Sequence, residues 1–333
     1  MTINIGMIGT GLMAGIYGKI LRQRPDCRLS AVVGNSADKT ARFANDFGIA
    51  GYGQGRYEEM LERHPDIDAV IITTPEWVRE EPVAAAIRHK KHILLEKPFA
   101  ASLKDALALD KLLAGYGKVF DICHVLRYSP RFYALQQSVA RGDVGDIRHI
   151  YASLNSNNAR VRRVLGKTNL AFWLAPHHVD ITRWITGADV QEVFARSRGG
   201  MKTDDDYIIA NLRMSNGVDA VLEISWCNPP ISGTAREASF EVWGNKGYVD
   251  VHDSDMNIRF FGAENRVAVA DTYEDYEVHG LHYGMFKNLI DHFVGRVMDG
   301  KPDTRPLRDA VESIRACDMI ARSIATQRVV GRE

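Results

Sequence analysis

The chain has 333 residues, of which 45% are hydrophobic and 25% are charged, as in ordinary globular proteins. This length exceeds what one hydrophobic core usually supports, so we expect two domains. Lys and Arg together number 42, as do Asp and Glu, and this balance gives no reason to expect nucleic acid or an acidic membrane as a partner.

The cysteines and the apolar segments indicate a cytoplasmic location. The four cysteines are widely spaced without a Cys-x-x-Cys pair, so neither a disulfide framework nor a thiolate metal site is indicated, which fits a reducing compartment. No signal peptide is evident, and no apolar run approaches the roughly 20 residues that span a bilayer.

Short apolar runs alternate with helical patterns over the first third of the chain. The predicted strands are Ile3–Ile8, Leu29–Val33, Ala69–Thr73, His92–Leu95 and Val119–Cys123. The predicted helices are Leu12–Arg22, Ala37–Phe47, Pro82–His89 and Leu103–Leu113. Alternation of this kind predicts a parallel, doubly wound α/β sheet, which we assign to a first domain at residues 1–124.

The pattern changes to long alternating strands in the remainder, residues 125–333, after a linking helix at Ser129–Arg141. The predicted strands are Arg148–Leu154, Val190–Ser197, Tyr207–Met214, Val218–Trp226, Ala238–Trp243 and Gly247–Val251. The predicted helices are one near Trp173–Thr186 and two that close the chain, Tyr283–Met298 and Leu307–Gln327. The last helix could belong to this domain or pack against the first domain. We therefore predict an α+β domain with an open, mostly antiparallel sheet. Its uncovered face predicts a homodimer or homotetramer.

A glycine motif, G-x-G-x-x-A, follows the first strand and opens the first helix. Gly9 permits a tight turn, Gly11 lets the backbone approach a pyrophosphate, and Ala14 lets helix and strand pack closely. The helix N-terminus adds free N–H groups and a partial positive charge. Its place between a strand and a helix favours a Rossmann domain that binds NAD(H) or NADP(H) over an ordinary glycine turn. The predicted cofactor contacts here are Gly9, Thr10, Gly11, Leu12 and Met13.

The end of the second strand, Gly34-Asn35-Ser36, lacks the carboxylate that favours NAD by accepting from the ribose 2′-OH. Asn35 and Ser36 can donate to a 2′-phosphate, and Lys39 could neutralise it. The sequence therefore modestly favours NADP(H). The alternative is that Asn35 simply caps the following helix, and both roles are compatible.

A lysine follows the strand His92–Leu95 within Glu96-Lys97-Pro98. The carboxyl ends of parallel strands form the crevice where α/β sheets bind ligands. A cationic nicotinamide nearby would destabilise the ammonium and lower its pKa, and Pro98 stiffens the turn. The alternative is a surface lysine at a strand end.

These motifs resemble those of the glucose–fructose oxidoreductase, inositol dehydrogenase and MocA (Gfo/Idh/MocA) family over essentially the whole chain. The matching segments are Gly9–Ala14, Thr73-Thr74-Pro75, Glu96-Lys97-Pro98, His124–Pro130, Gly142-Asp143-Val144-Gly145, Gly244-Asn245-Lys246-Gly247 and Gly300-Lys301-Pro302. The resemblance implies that Lys97 is catalytic and that the open sheet carries the substrate site and the oligomer interface. It also implies cofactor contacts from Thr73, Thr74, Pro75, Glu96, Lys97 and His124.

One polar family position is replaced. The family pattern Asp-x-x-x-His aligns its Asp with Trp173 and its His with His177, and a second Asp with Asp180. Histidine side chains ordinarily titrate near neutrality, so His177 suits a general base. Asp180 could orient it, and the Trp173 indole could stack on a sugar face. A metal reading of His177, His178 and Asp180 is not favoured, because successive helical residues point about 100° apart.

Two further groups are candidates for substrate binding. Arg127 follows the last strand of the first domain, and Tyr283 aligns loosely with a family tyrosine near the nicotinamide. A basic loop suggests an anionic substrate such as a sugar acid, with a solvated loop as an equal alternative. That loop contains Asn155, Asn157, Asn158, Arg160, Arg162, Arg163 and Lys167.

Three functions remain open from the sequence. The favoured one is a dehydrogenase or reductase that transfers hydride between nicotinamide and a hydroxyl carbon of a sugar, polyol or related molecule. The second is an enzyme that recycles a tightly bound nicotinamide, such as an isomerase or glycosidase. The third is a non-catalytic protein that senses sugars or dinucleotides.

Overall fold

The computed structural model describes residues 2–157, 167–199, 206–228, 236–252, 259–261, 267–269 and 276–333. The chain divides into two compact units, Met1–Tyr128 with Tyr273–Val311, and Ser129–Thr272 with Glu312–Glu333. The first unit thus extends four residues beyond the boundary expected after residue 124 and also takes a later segment of the chain.

The first unit is built on a six-stranded parallel sheet with the order β3-β2-β1-β4-β5-β6. Its strands are β1 (Ile3–Ile8), β2 (Cys27–Val33), β3 (Ala50–Tyr52), β4 (Ala69–Ile72), β5 (His92–Leu95) and β6 (Phe120–Ile122). This is the strand order of dinucleotide-binding sheets, in which the order reverses beside β1. The predicted parallel, doubly wound sheet is confirmed.

Helices connect these strands and cover the sheet, so that every residue of β4 is buried. The helices are α1 (Leu12–Arg22), α2 (Ala37–Phe47), α3 (Tyr57–Arg63), α4 (Glu80–Arg88) and α5 (Leu103–Leu113). A 3₁₀ turn at Val125–Tyr128 follows β6. The later segment adds a two-stranded ladder, β15 (Tyr276–Val278) with β16 (Leu281–Tyr283), and the helix α9 (Met285–Asp299).

The second unit holds a seven-stranded sheet with the order β12-β11-β7-β10-β9-β8-β17. Its strands are β7 (Ile147–Asn157), β8 (Val190–Arg198), β9 (Tyr207–Met214), β10 (Asp219–Asn228), β11 (Arg236–Gly244), β12 (Tyr248–His252) and β17 (Val330–Gly331). Only the β7–β10 pair is parallel among the ladders of this sheet within the described residues. The predicted mostly antiparallel sheet is confirmed.

One face of this sheet is packed and the other is open. Burial alternates strictly along β9, so that Tyr207 and Ile209 face outward between buried residues. The helices of the unit are α6 (Pro130–Ala140), α7 (Leu170–Trp173) and α8 (Ala175–Thr186), and α10 (Arg305–Thr326) enters it from the first unit. α8 packs against β7 and β10. A further ladder joins β13 (Arg259–Phe261) to β14 (Val267–Val269).

The helix expected near Trp173–Thr186 begins at Ala175, and a short helix, α7, precedes it. Asn169 caps α7, since its side chain accepts from the backbone N–H of Phe172 at 3.1 Å. Pro176 lies in the first turn of the second helix, where the missing N–H of proline costs nothing. The predicted helix is therefore confirmed as α8 with a later start, and the four-residue α7 before it was not predicted.

Candidate active site

Gly9 forms the tight turn at the carboxyl end of β1. Its φ is 118°, and a Cβ there would lie 2.2 Å from Oγ1 of Thr73. Thr73 is held against β1, because its backbone N–H donates to the carbonyl of Ile8 at 2.7 Å. The turn therefore brings the ends of β1 and β4 together at a place where only glycine fits.

Gly11 starts α1 and has no neighbouring atom within 4 Å of the place a Cβ would take. No side chain caps this helix, and Leu12 beside it is 67% exposed. The first N–H groups of α1 are therefore open to a ligand, and the helix dipole favours an anion there. The close packing at Gly9 fixes the turn, and the open space at Gly11 leaves room for the pyrophosphate of a dinucleotide.

The end of β2 forms the next part of this edge. Gly34 is closely packed, since a Cβ there would lie 2.1 Å from Oγ1 of Thr40. Ser36 caps α2 by accepting from the N–H of Lys39 at 3.5 Å. The alternative that Asn35 is the cap was therefore wrong, and Asn35 is exposed at the strand end. Lys39 is exposed in the first turn of α2, next to the carboxylate of Asp38.

Glu96-Lys97-Pro98 leaves β5 at the same edge. Glu96 and Pro98 are buried and Lys97 is half-buried, and the Lys97–Pro98 peptide is cis. Tyr17 donates its hydroxyl hydrogen to Oε1 of Glu96 at 2.5 Å. Arg79 donates to the carbonyl of Pro98 at 3.4 Å. Both neighbours of Lys97 are thus fixed by buried side chains.

The remaining predicted cofactor residues also follow strands of this sheet. Thr74 and Pro75 come after β4, where the Thr74 hydroxyl donates to the carbonyl of Val78 at 2.5 Å. His124 comes after β6 and is 7% exposed. Because parallel strands end at one edge, the structure gathers all the predicted cofactor residues along it.

Two residues of the first unit that were predicted to bind substrate, Arg127 and Tyr283, contact other side chains of that unit. Arg127 forms an ion pair with Asp309 at 2.9 Å, with both side chains about one-fifth exposed. Tyr283 stacks on Tyr276, with ring centroids 5.7 Å apart, and lines a pocket beside the C-terminal end of α1. A helix of 11 residues is about 16 Å long. Tyr283 therefore lies at the opposite end of α1 from the glycine turn, and its position does not support contact with the nicotinamide.

The other predicted residues belong to the second unit, around α7 and α8. The Trp173 ring lies 5.6 Å from the ring of Trp226, which is 2% exposed. His178 is buried against Phe240, with ring centroids 5.9 Å apart, whereas His177 is half-buried. Asp180 is 1% exposed, which is typical of a structural carboxylate rather than of one that contacts substrate directly.

No group of three or more His, Cys, Asp or Glu side chains in the described part of the chain is arranged to hold a metal ion. Across that same part, no helix has the length and apolar character needed to cross a membrane. The prediction of a basic loop was wrong for Asn155 and Asn157, which lie at the end of β7, where Asn155 donates to Glu223 at 3.1 Å. Four other residues predicted in that loop lie outside the described residues: Asn158, Arg160, Arg162 and Arg163.

Comparison with known proteins decides the family. The model of the oxidoreductase family with an NAD-binding Rossmann fold matches residues 3–124, and the GFO/IDH/MocA C-terminal domain matches residues 132–250. The chain belongs to the Gfo/Idh/MocA oxidoreductase family. The predicted resemblance is confirmed, and the chain is accordingly an NAD-binding oxidoreductase.

Several relatives of this Gfo/Idh/MocA protein have named activities. Inositol 2-dehydrogenase of Rhizobium meliloti is 22% identical over 99% of both chains. 1,5-anhydro-D-fructose reductase of Ensifer adhaerens is 27% identical over 65% of this chain and 66% of that one. 2,7-anhydro-N-acetylneuraminate hydratase of Mediterraneibacter gnavus is 22% identical over 92% of this chain and 81% of that one.

The fold is that of solved family members. The structure of scyllo-inositol dehydrogenase from Lactobacillus casei, with bound NAD(H) and scyllo-inositol, has a TM-score of 0.83 at 17% identity and covers 99% of each chain. GenD2 from gentamicin A biosynthesis, in complex with NAD, has a TM-score of 0.81 at 22% identity, covering 100% of this chain and 97% of that one.

Three residues that contact predicted site residues of this Gfo/Idh/MocA protein within their own units were not foreseen: Tyr17, Arg79 and Trp226. Tyr17 had a signal, since it lies one turn after Ala14 on the face of α1 that packs on the sheet, where a phenol needs a partner. Arg79 had no such signal, because a charged residue just before a helix is ordinarily expected to be exposed. Trp226 ends a predicted strand, but nothing in the sequence pairs it with Trp173.

Proposed function

We propose that this oxidoreductase acts on a hydroxyl-bearing carbon, or the corresponding carbonyl, of a sugar, polyol or related small molecule. The observation that carries the proposal is Lys97, half-buried at the edge of the sheet where the glycine turn also lies, with both its neighbours buried. A dehydrogenase and a reductase of such compounds among the relatives support the same substrate class.

Alcohol oxidation requires removal of a hydride from carbon and of a proton from oxygen. When bound, the nicotinamide accepts the hydride. Lys97 takes the proton from the hydroxyl as the amine and returns it in the reverse direction as the ammonium. A positioned base of this kind contributes about 10²- to 10⁴-fold to rate.

His177 is the proposed second proton-transfer residue, on the basis of its sequence motif and its half-buried position in the first turn of α8. Trp173 is the proposed contact for a ring-shaped substrate. Its indole is supported from behind by the buried Trp226, and a rigid aromatic surface suits the apolar face of a sugar ring. Sugar acids belong to the same proposal through the basic loop.

We propose NADP(H) as the favoured cofactor. The end of β2 carries Gly34-Asn35-Ser36 without a carboxylate, and Asn35 and Lys39 are exposed there. The Ser36 oxygen accepts from Lys39 N–H, which leaves its own hydrogen to donate to a phosphate. Asp38 in the same turn opposes this preference, so the preference is modest.

The open sheet face supports a homodimer or homotetramer. Large side chains are exposed on strands of this sheet, at 36 to 57% of their area: Tyr207, Ile209, Trp243 and Tyr248. Exposed apolar side chains on a flat sheet are typical of a subunit interface. The four cysteines are all free thiols, which supports a location in the cytoplasm.

The test is a pair of measurements on the purified protein. NADPH and NADH are titrated by nicotinamide fluorescence, and oxidation of inositols and aldoses is then assayed with NADP⁺ and NAD⁺, using Lys97→Met as the control. Turnover that Lys97→Met loses by at least about 10²-fold, with cofactor binding retained, supports the proposal. Cofactor binding without turnover of any compound favours a sensing protein.

A second function is favoured by relatives that are 2,7-anhydro-N-acetylneuraminate hydratases. A hydratase adds or removes water without net oxidation, so membership of the family does not require net redox chemistry. In that case the nicotinamide would be tightly held and recycled. Cofactor that remains bound through purification and dialysis, with product formed in the absence of added nucleotide, identifies this case.

A further inference from the structure

Two buried polar side chains outside every motif described above, Tyr17 and Arg79, contact the neighbours of Lys97 in Glu96-Lys97-Pro98. Tyr17 is 0% exposed, Arg79 is 3% exposed and Glu96 is 7% exposed. Buried polar groups are costly unless they are hydrogen-bonded or paired. Three such groups around one turn, in which only Lys97 is half-buried, therefore call for a reason beyond stability.

Tyr17 connects the phosphate-binding helix to the residue before Lys97. It stands on α1, whose N-terminus carries the glycine motif, and its hydroxyl donates to Glu96 at 2.5 Å. Burial raises the pKa of the Tyr17 hydroxyl well above its ordinary value. The phenol therefore keeps its proton, and Tyr17 remains a donor throughout the working pH range.

Arg79 connects the ends of two neighbouring strands. Its guanidinium donates to the carbonyl of Ile72, the last residue of β4, at 3.3 Å and to the carbonyl of Pro98, just after Lys97, at 3.4 Å. Burial lowers the pKa of Arg79 to about 10, so it stays charged at neutral pH. The nearby carboxylates of Glu96 and Glu76 offset the cost of burying that charge.

We propose that Tyr17 and Arg79 are positioning residues for Lys97. Tyr17 fixes the side chain of the residue before it, and Arg79 fixes the carbonyl of the residue after it. The backbone of Lys97 is thereby held from both sides. This inference rests on the proposed catalytic role of Lys97, since misplacing a catalytic group by about 1 Å can cost about 10²-fold in rate.

The first test needs no substrate. Lys97 is half-buried, so a loosened turn exposes it, and its initial rate of acetylation by acetic anhydride reports this when read by peptide mass spectrometry. We expect the rate to rise at least threefold in Tyr17→Phe and in Arg79→Gln, with the exposed Lys39 as internal reference. Arg79→Lys, which keeps the charge and one donor, should restore most of the protection.

Two control variants remove matched interactions elsewhere in the same unit. The Tyr116 hydroxyl donates to the carbonyl of Lys91 at 2.5 Å, at the opposite end of β5, so Tyr116→Phe also loses one partly buried phenol bond. Arg24 pairs with Asp26 at 2.8 Å beyond the C-terminal end of α1, and Arg24→Lys is the control for Arg79→Lys. Neither control should change the acetylation of Lys97, even where it lowers the melting temperature.

The second test uses turnover of whichever compound the substrate assay identifies. Tyr17→Phe should lower kcat by about 10- to 100-fold and leave KM and the cofactor Kd within about twofold. Equal acetylation rates in Tyr17→Phe and Tyr116→Phe would overturn the proposal, as would a Tyr17→Phe effect confined to KM. Full activity of Lys97→Met would instead remove the catalytic role itself, while the acetylation result for Tyr17 would still stand as a statement about the turn.

Discussion

A Cβ atom on Gly9 would lie 2.2 Å from Oγ1 of Thr73 and 3.1 Å from its carbonyl carbon. Atoms of Thr73 thus already occupy the place that a side chain on Gly9 would need, whether or not a ligand is bound. Gly11, two residues later, has no atom within 4 Å of the place a Cβ would take. The first glycine of the motif is therefore required by the fold, whereas we propose that the second is required by the ligand.

Replacing Gly9 or Gly11 by alanine distinguishes an effect on folding from an effect on cofactor binding. We expect Gly9→Ala to lower stability by about 1 to 3 kcal/mol or more, because the new methyl both clashes with Thr73 and is strained at φ 118°. Gly11→Ala should leave the melting temperature nearly unchanged and weaken NADPH and NADH binding by at least tenfold. Differential scanning fluorimetry and fluorescence titration measure the two effects. A Gly11→Ala protein with unaltered cofactor affinity would contradict the assignment of Gly11 to the pyrophosphate.

The sequence predicted the helices and strands best where their ends require a particular residue type, such as a glycine in a turn or a capping side chain. The glycine motif, the helix Ala37–Phe47 and the strand His92–Leu95 were predicted with their observed bounds, because continuous apolar runs, caps and glycines mark their ends. β3 and α3 were missed because they are short, at 3 and 7 residues. The two exposed residues of β3 also give no apolar pattern.

What the sequence could not supply is contact between distant segments. The return of Tyr273–Val311 to the first unit depends on packing such as that of α9 against α1, which no local pattern encodes. For the same reason the roles of Tyr17 and Arg79 emerged only from the structure. The displacement of Tyr283 from the glycine turn is a further case, because a loose alignment cannot tell one end of α1 from the other.

The proposed preference for NADP(H) predicts that one carboxylate at the end of β2 shifts the cofactor affinities towards NADH. Asn35→Asp places an acceptor for the ribose 2′-OH, and a charge that repels a 2′-phosphate, at the exposed end of β2. We expect the ratio of NADPH to NADH affinity to fall by at least tenfold. Asp46→Asn on the last turn of α2 is the control for a change in surface charge. If Asn35→Asp leaves the ratio of NADPH to NADH affinity unchanged, residues other than Asn35 contact the ribose 2′ group.

His92 makes stability depend on pH. Its Nδ1 accepts from the backbone N–H of Val119 at 3.0 Å, and burial lowers the pKa of His92 below its ordinary value of 6.5. Above about pH 6.5 the ring is neutral in both states, and below it the unfolded chain binds more protons. The contribution of His92 is therefore fully present above pH 6.5 and is lost as the pH falls towards the folded-state pKa.

His92→Asn is the variant that isolates this effect, since the amide oxygen can still accept from Val119 but does not titrate. We expect the melting temperature of the variant to fall less between pH 7 and pH 5 than that of the wild type. Parallel slopes for the two proteins over that range would show that His92 does not contribute to the pH dependence.

The open sheet face predicts an assembly that one charge disrupts. Ile209 on β9 is 43% exposed, and burial in an interface would make an aspartate there costly. We expect Ile209→Asp to shift the protein to a smaller species in sedimentation velocity without lowering the melting temperature of that species. Leu107 on α5 has the same 43% exposure, so Leu107→Asp is a matched control that should keep the assembly. A wild-type protein that sediments as a monomer would contradict the prediction directly.

The ion pair between Arg296 and Asp121 ties α9 to the edge strand of the parallel sheet. Arg296 donates to Asp121 at 2.7 Å, with the two side chains 16% and 6% exposed. Arg296→Met leaves the buried carboxylate without its cation, and we expect it to lower the free energy of unfolding by about 3 to 5 kcal/mol.

The comparison variant is Arg305→Met, which breaks the pair with Asp303. Arg305 is 86% exposed, so its pair is screened by solvent and its loss should cost less than about 1 kcal/mol. Urea unfolding followed by circular dichroism measures both variants. Similar losses in the two would mean that burial does not govern the strength of the Arg296 pair, and that α9 is held to the sheet by its apolar face alone.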